Sequence, residues 1–228
     1  MTWLLNNGDM VGQLVVAHLA IAIPPIILSF VISVPIGWLA NRFHWSRSTL
    51  LTVLGLLYAI PSLPLFIILP LFLGTGLRDP INLVVALTLY GIALMVRTTA
   101  DGLGSVGPDI RQSATAVGFS PRSLFFRVEL PLAGPVLLAG IRVVSVSTIS
   151  LTTVGAVLGI PSLGALFTDG FQRGIPAEIL TGIVVTMAIA LAVDGLLVLL
   201  GRLIMPWVAV SSGRTGRRAL RRSRAVAA

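Results

Sequence analysis

Five long apolar runs, at roughly 13–40, 49–73, 81–101, 132–158 and 177–204, take up most of the 228 residues. A helix needs about 20 apolar residues to cross a bilayer, so each run can span with some tilt and little chain is left for a soluble domain. With 56% hydrophobic and 11% charged residues and a mean hydropathy of +1.00, the expected fold is an all-α integral membrane protein. It comprises one transmembrane domain over 1–206 and a basic cytoplasmic tail over 207–228. The opening MTWLLNNGDM lacks the positive n-region and the cleavage pattern of a signal peptide, so the first run is expected to be retained.

The charges set an orientation and remove several chemistries. All 16 basic residues are Arg, and without Lys no GxxxxGK[ST] phosphate loop exists. The chain has no Cys and only two His, which removes thiol chemistry and a His-based metal site. Thirteen Arg fall in connections on one side, among them Arg42, Arg47, Arg97, Arg111, Arg122, Arg127 and Arg202, whereas Arg78 and Arg173 fall on the other. By the positive-inside rule the N-terminus lies outside and the C-terminus inside. Arg142 sits within the fourth run and Asp194 within the fifth, at matching depth. Lone charges there are costly, so the two are expected to approach each other or share a polar cavity, as a structural tie ahead of a transport role.

Proline punctuates the second run: Pro61, Pro64 and Pro70 predict a broken helix. Freed carbonyls in a bilayer need protein or a water-filled cavity, so Tyr58 to Pro70 either face the protein interior or form a packing kink. Pro24, Pro25 and Pro35 raise the same question in the first run. The Gly- and Pro-rich stretch 159–176 reads as a short re-entrant or interfacial piece or as a surface loop.

The longest internal connection, about 103–131, reads as helix, Gly turn, helix. Gly107-Pro108-Asp109 starts the first helix, Gly118 suits a left-handed turn, Ser120-Pro121 starts the second, and Pro131 is expected to stop it. Val117, Phe119, Leu124, Phe125 and Phe126 exceed what two short helices can bury. They need either the chain's own bundle or a partner's groove.

The stretch QSATAVGFSPRSLFFRVELPLAGPVLLAGIR resembles the EAA loop of permeases from binding-protein-dependent ABC importers, whose pattern is EAA, three residues, Gly, nine residues, I-x-L-P. Gln112, Ser113 and Ala114 stand at the EAA positions, Gly118 at the Gly, and Val128, Leu130 and Pro131 at the end. Gln and Ser depart from the pattern. AIPSLPLFIILPLF, MVRTTADGL, GIPSLGALFTDGFQRG and LAVDGLLVLLGRLI resemble stretches of the osmoprotectant group, which handles glycine betaine, carnitine, choline and proline.

The resemblance implies a five-helix permease of the MetI-like type in a bacterial plasma membrane. It also implies pairing with an identical or related permease, two ABC ATPase subunits that bind ATP and Mg, and an extracytoplasmic solute-binding protein. Gln112, Ser113, Ala114, Gly118, Phe119, Ser120, Phe125, Val128, Leu130 and Pro131 are then the ATPase-coupling residues, and the chain itself is not an enzyme and holds no cofactor or metal. Tyr58, Pro61, Ser62, Thr148, Thr152 and Thr153 are candidate path residues, although membrane Ser and Thr often bond their own backbone. His18 and His44 are expected to serve packing and the interface.

The tail Arg residues are expected to attract anionic lipids, fixing topology or sensing ionic strength; nucleic-acid binding is not expected, since aromatic residues do not interleave the charges. A permease for another small solute such as methionine, and a stand-alone channel or secondary transporter, are the alternatives.

Overall fold

The computed structural model describes Trp3 and residues 7–207, apart from the side chains of 44–46. The Arg-rich tail beyond 207, with its expected lipid contact, and the His44 side chain lie outside the described residues. Among the described residues there is no strand. The helices are α1 (Gly8–Arg42), α2 (His44–Ala59), α3 (Ser62–Leu73), α4 (Pro80–Gly104), α5 (Pro108–Ala116), α6 (Pro121–Leu124), α7 (Leu130–Thr152), α8 (Ala165–Gln172) and α9 (Pro176–Ile204). α1, α4, α7 and α9 are long and apolar enough to cross a bilayer, and α2 with α3 forms a fifth, bent element.

The core is built around α4. Ala22 and Ile26 of α1, Met95 and Leu103 of α4, and Ala133, Leu137 and Val144 of α7 pack together, while Phe66 and Leu69 of α3 join Leu83, Leu87 and Tyr90 of α4 in a second cluster. Small residues let α1 lie close on α4: a Cβ at Gly91 would stand 2.6 Å from Ser29 Cβ, and one at Gly37 2.6 Å from Thr99 Cβ. Such close approach is how membrane helices gain contact where water gives no drive between them. α9 is the least buried of the long helices.

The broken helix expected of the second run is present, and one other proline expectation is corrected. The second run is a sharp elbow: α2 and α3 meet at 102°. Pro61 and Pro64 cannot donate to the carbonyls of Leu57 and Ile60, so the α-helical ladder ends there. The Ile60 amide turns instead to Leu57 O at 3.3 Å, and Tyr90 Oη donates to Ile60 O at 2.6 Å. Only one face of this element is interior. Phe66, Leu69 and Pro70 are buried, whereas Tyr58, Ile60, Ile67, Leu71 and Phe72 are exposed on this chain.

Pro131 does not stop a helix. The chain runs helically from Pro121 to Leu158, with a π-turn at Phe125–Glu129 immediately before Pro131. There the Leu130 amide reaches back five residues to Phe125 O. The wider turn makes room for a ring that would otherwise clash with the carbonyl four residues earlier. Pro24, Pro25 and Pro35 lie within an unbroken α1.

The 159–176 stretch contains a short helix, so it is not the plain loop of the second alternative. A 3-10 turn (Thr153–Leu158) and left-handed Gly159 lead into α8, and Leu163 and Leu166 are buried against Val11 of α1 and Val185 and Ile189 of α9.

The Tyr90 hydroxyl closes a carbonyl that proline leaves open. Tyr90→Phe should therefore destabilise the elbow by about 1–3 kcal/mol, read as a lower Tm of the purified protein in mild detergent. An unchanged Tm would remove this role.

Candidate functional site

The 103–131 connection forms the expected helix, Gly turn and helix. Pro108 occupies the first position of α5 with Asp109 in the first turn, where neither costs a hydrogen bond nor opposes the macrodipole. Gly118 lies at φ +98°, and its turn is closed by Gly118 N–H to Thr115 O at 3.0 Å and Phe119 N–H to Ala114 O at 3.1 Å. Ser120 caps α6, its Oγ accepting from Ser123 N–H at 3.4 Å.

α5 buries none of its residues against its own chain. Gln112, Ser113, Gly118 and Ser120 are exposed, Ala114, Phe119, Val128 and Pro131 are half-buried, and Val117 presents 80% of its surface. Phe125 is half-buried and also makes contacts within its own chain. Its ring packs edge-on against Trp38 at 5.8 Å and, with Leu130, joins the edge of the main core. Phe126, its neighbour at 4.9 Å, is the ring left 65% exposed.

What holds the unburied α5 in place was not singled out from sequence. Arg111 Nη2 donates to Leu103 O near the end of α4 at 2.7 Å, and Arg111 Nε lies 2.8 Å from Glu129 Oε1. Glu129, at the end of the π-turn, is only 8% exposed. Arg111 thus joins three segments: α5, the end of α4 and the base of α7. The sequence signal was present, since Glu129 is the only acidic residue between Asp109 and Asp169. A second tie, Arg47 to Asp101 at 2.8 Å, links α2 to the end of α4.

In the membrane region, Arg142 and Asp194 meet across α7 and α9 in a two-point contact, Nε to Oδ1 at 2.6 Å and Nη2 to Oδ2 at 2.8 Å. The planar guanidinium suits such a fork. The path candidates do not form one cluster. Tyr58 lies at the α2–α3 elbow, 5.7 Å from the Tyr90 ring, beside exposed Pro61 and half-buried Ser62. Thr148 and Thr152 are buried in α7. The Thr152 hydroxyl donates to Thr148 O at 2.8 Å and that of Thr153 to Ser150 O at 2.7 Å, so both are spent on their own backbone. His18 is fully buried in α1. No group of three His, Asp or Glu able to hold a metal occurs among the described residues.

The described helices form an elbowed bundle of four long spans and one bent pair, with an exposed loop between the third and fourth of these elements. The chain belongs to the family of binding-protein-dependent transport system inner membrane components, whose pattern matches residues 33–210. It is 31% identical over 198 residues to the osmoprotectant import permease protein OsmW of Salmonella typhimurium, covering 86% of this chain and 92% of that one. It is 28% identical over 204 residues to the choline transport system permease protein OpuBB of Bacillus subtilis, covering 90% and 93%. Its fold matches a chain of the inward-facing MetNI methionine ABC transporter with a TM-score of 0.72 at 20% identity, over 89% of this chain and 98% of that one.

Removing either partner of the Arg142–Asp194 pair leaves an unpaired charge between α7 and α9, while removing both does not. Arg142→Leu or Asp194→Leu alone should cut the yield of folded protein severalfold and lower Tm, and the double variant should recover most of both. A double variant no better than the worse single one would show that the pair is not what ties α9.

Proposed function

We propose that this chain is the permease subunit of an ATP-driven importer for osmoprotectants such as glycine betaine, carnitine, choline or proline. The named activities of its relatives favour that solute class. The observation that carries the mechanism is the α5–Gly118–α6 unit: exposed outward, yet fixed inward by Arg111 to both α4 and α7.

In this reading the loop docks on a separate ABC ATPase chain, which binds and hydrolyses ATP with Mg. Val117, Phe119 and Phe126 supply the apolar contact. A docked short helix can move the bundle only if its connection to the membrane helices is stiff and if its contacts differ between two states. The Arg111 clamp provides the stiffness. A second permease, identical or related, completes the path, and an extracytoplasmic binding protein delivers the solute. The Arg-rich end, with the loop and the C-terminus, faces the cytoplasm, and the end carrying α8 faces outward. The transient path runs past the Tyr58–Ser62 elbow, where helix order is broken on the exposed side of α4.

The deciding experiment is purification from native membranes in mild detergent, followed by uptake assays in proteoliposomes with ATP. An ABC ATPase should accompany the wild-type chain and be lost from Val117→Asp, Phe119→Asp. Recovery of a stable chain without any ATPase would leave a stand-alone channel or secondary transporter as the reading.

Two further variants test the lever. Gly118→Val forces a β-branched residue to positive φ at about 1–2 kcal/mol and should reduce uptake more than expression. Glu129→Gln should leave the ATPase bound but lower solute moved per ATP hydrolysed, and Glu129→Asp, which keeps the charge, should restore part of it. An unchanged transport-to-hydrolysis ratio in Glu129→Gln would take coupling out of the clamp.

A further inference from the structure

At the Arg-rich end, a groove of about 1170 Å³ opens between α1, α7 and α9. Its walls are apolar: Phe30 and Val34 of α1, Leu137 and Ile141 of α7, and Leu197 and Leu200 of α9. All six lie in helices long and apolar enough to cross a bilayer. A dry apolar groove in hydrocarbon does not stay empty, because its lining would lose its dispersion contacts, and water does not fill it, because the lining offers no polar partners. Something apolar occupies it.

The mouth says what. Arg42, the last residue of α1, and Arg122, in the first turn of α6, both line the groove, and neither forms an ion pair among the described residues. The Arg42 guanidinium lies 5.8 Å from the Trp38 ring, and Trp38 and Trp207 line the same groove. Tryptophan marks the level of the lipid headgroups, and guanidiniums are suited to a phosphate. Apolar walls ending in two arginines that form no ion pair among the described residues, at the headgroup level, complement a molecule with hydrocarbon tails and a phosphate head. A peptide occupant fits less well. The chain's own tail carries six Arg and would meet like charge at the mouth, as would the Arg-rich end of a second copy.

We propose that this groove binds one anionic phospholipid from the leaflet at the Arg-rich end, its acyl chains along α1, α7 and α9 and its phosphate between Arg42 and Arg122. The site touches the base of the loop, because Phe125 and Leu130, the two ends of the π-turn bond, also line it. It does not depend on which solute the permease carries.

The test uses the transporter extracted from native membranes, exchanged into mild detergent and titrated with phosphatidylglycerol or phosphatidylcholine, with bound lipid read by native mass spectrometry. Phosphatidylglycerol should bind at one per chain. Arg42→Gln, Arg122→Gln should weaken it by about thirtyfold, the equivalent of about 1 kcal/mol for each arginine facing the phosphate, and should leave phosphatidylcholine little changed. Val34→Trp, which fills the groove from its wall, should lower occupancy by both lipids. Equal phosphatidylglycerol binding by wild type and the double Arg variant would overturn the proposal. So would a photo-reactive residue at Val31 that crosslinks to a polypeptide in native membranes instead of to lipid, which would make the groove a protein interface.

Discussion

Proline removes a backbone donor, and a bilayer offers no water to replace it. With 14 prolines in 228 residues, this chain is shaped by where those missing donors fall. Pro80, Pro108, Pro121 and Pro176 start helices, where the lost N–H had no intrahelical partner. Pro61 and Pro64 fall where the ladder cannot absorb them, so the chain bends through 102° and borrows the Tyr90 hydroxyl. Pro131 is absorbed by a wider turn. The elbow and the π-turn, the two least regular places in the membrane helices, are thus responses to one chemical deficit, and they flank the elements on which the proposed transport cycle relies.

The loop and the bundle are joined by few but well-placed contacts. α5 contributes no buried side chain, so hydrophobic packing on its own chain does not orient it. Instead one guanidinium gathers a carbonyl at the end of α4 and a nearly buried carboxylate at the base of α7. The contact with Leu103 is a hydrogen bond and that with Glu129 an ion pair, and one rigid guanidinium plane carries both. The outer face of the loop stays open for a partner while its inner face is held.

Much of this was legible in the sequence for physical reasons. Run lengths gave the spans, because bilayer thickness fixes them. Matching depth brought Arg142 to Asp194, because a lone charge there is costly whatever surrounds it. Gly118 could be placed because few other residues accept positive φ. Other features depend on geometry that residue types do not encode. Proline at 61 and 64 announces a break but not its angle. The inward turn of Phe125 and outward turn of Phe126 were hidden by the π-turn, whose extra residue shifts the phase of the helix against any 3.6-residue reading. Arg111 and Glu129 lie on opposite sides of the Gly turn, and only the fold of that turn brings them together.

The loose packing of α9 has a consequence for how the protein is made. The main core is assembled from α1, α4 and α7, with α9 adding only partly buried side chains at its edge, so it can form before the last helix leaves the ribosome. Arg142 then waits in the membrane without its counter-ion until Asp194, 52 residues later, has been synthesised. At about 5–20 residues per second that delay is about 3–10 s. During that interval Arg142 has no counter-ion on α9 to meet, so the desolvation of its guanidinium is offset only once the last helix has been made.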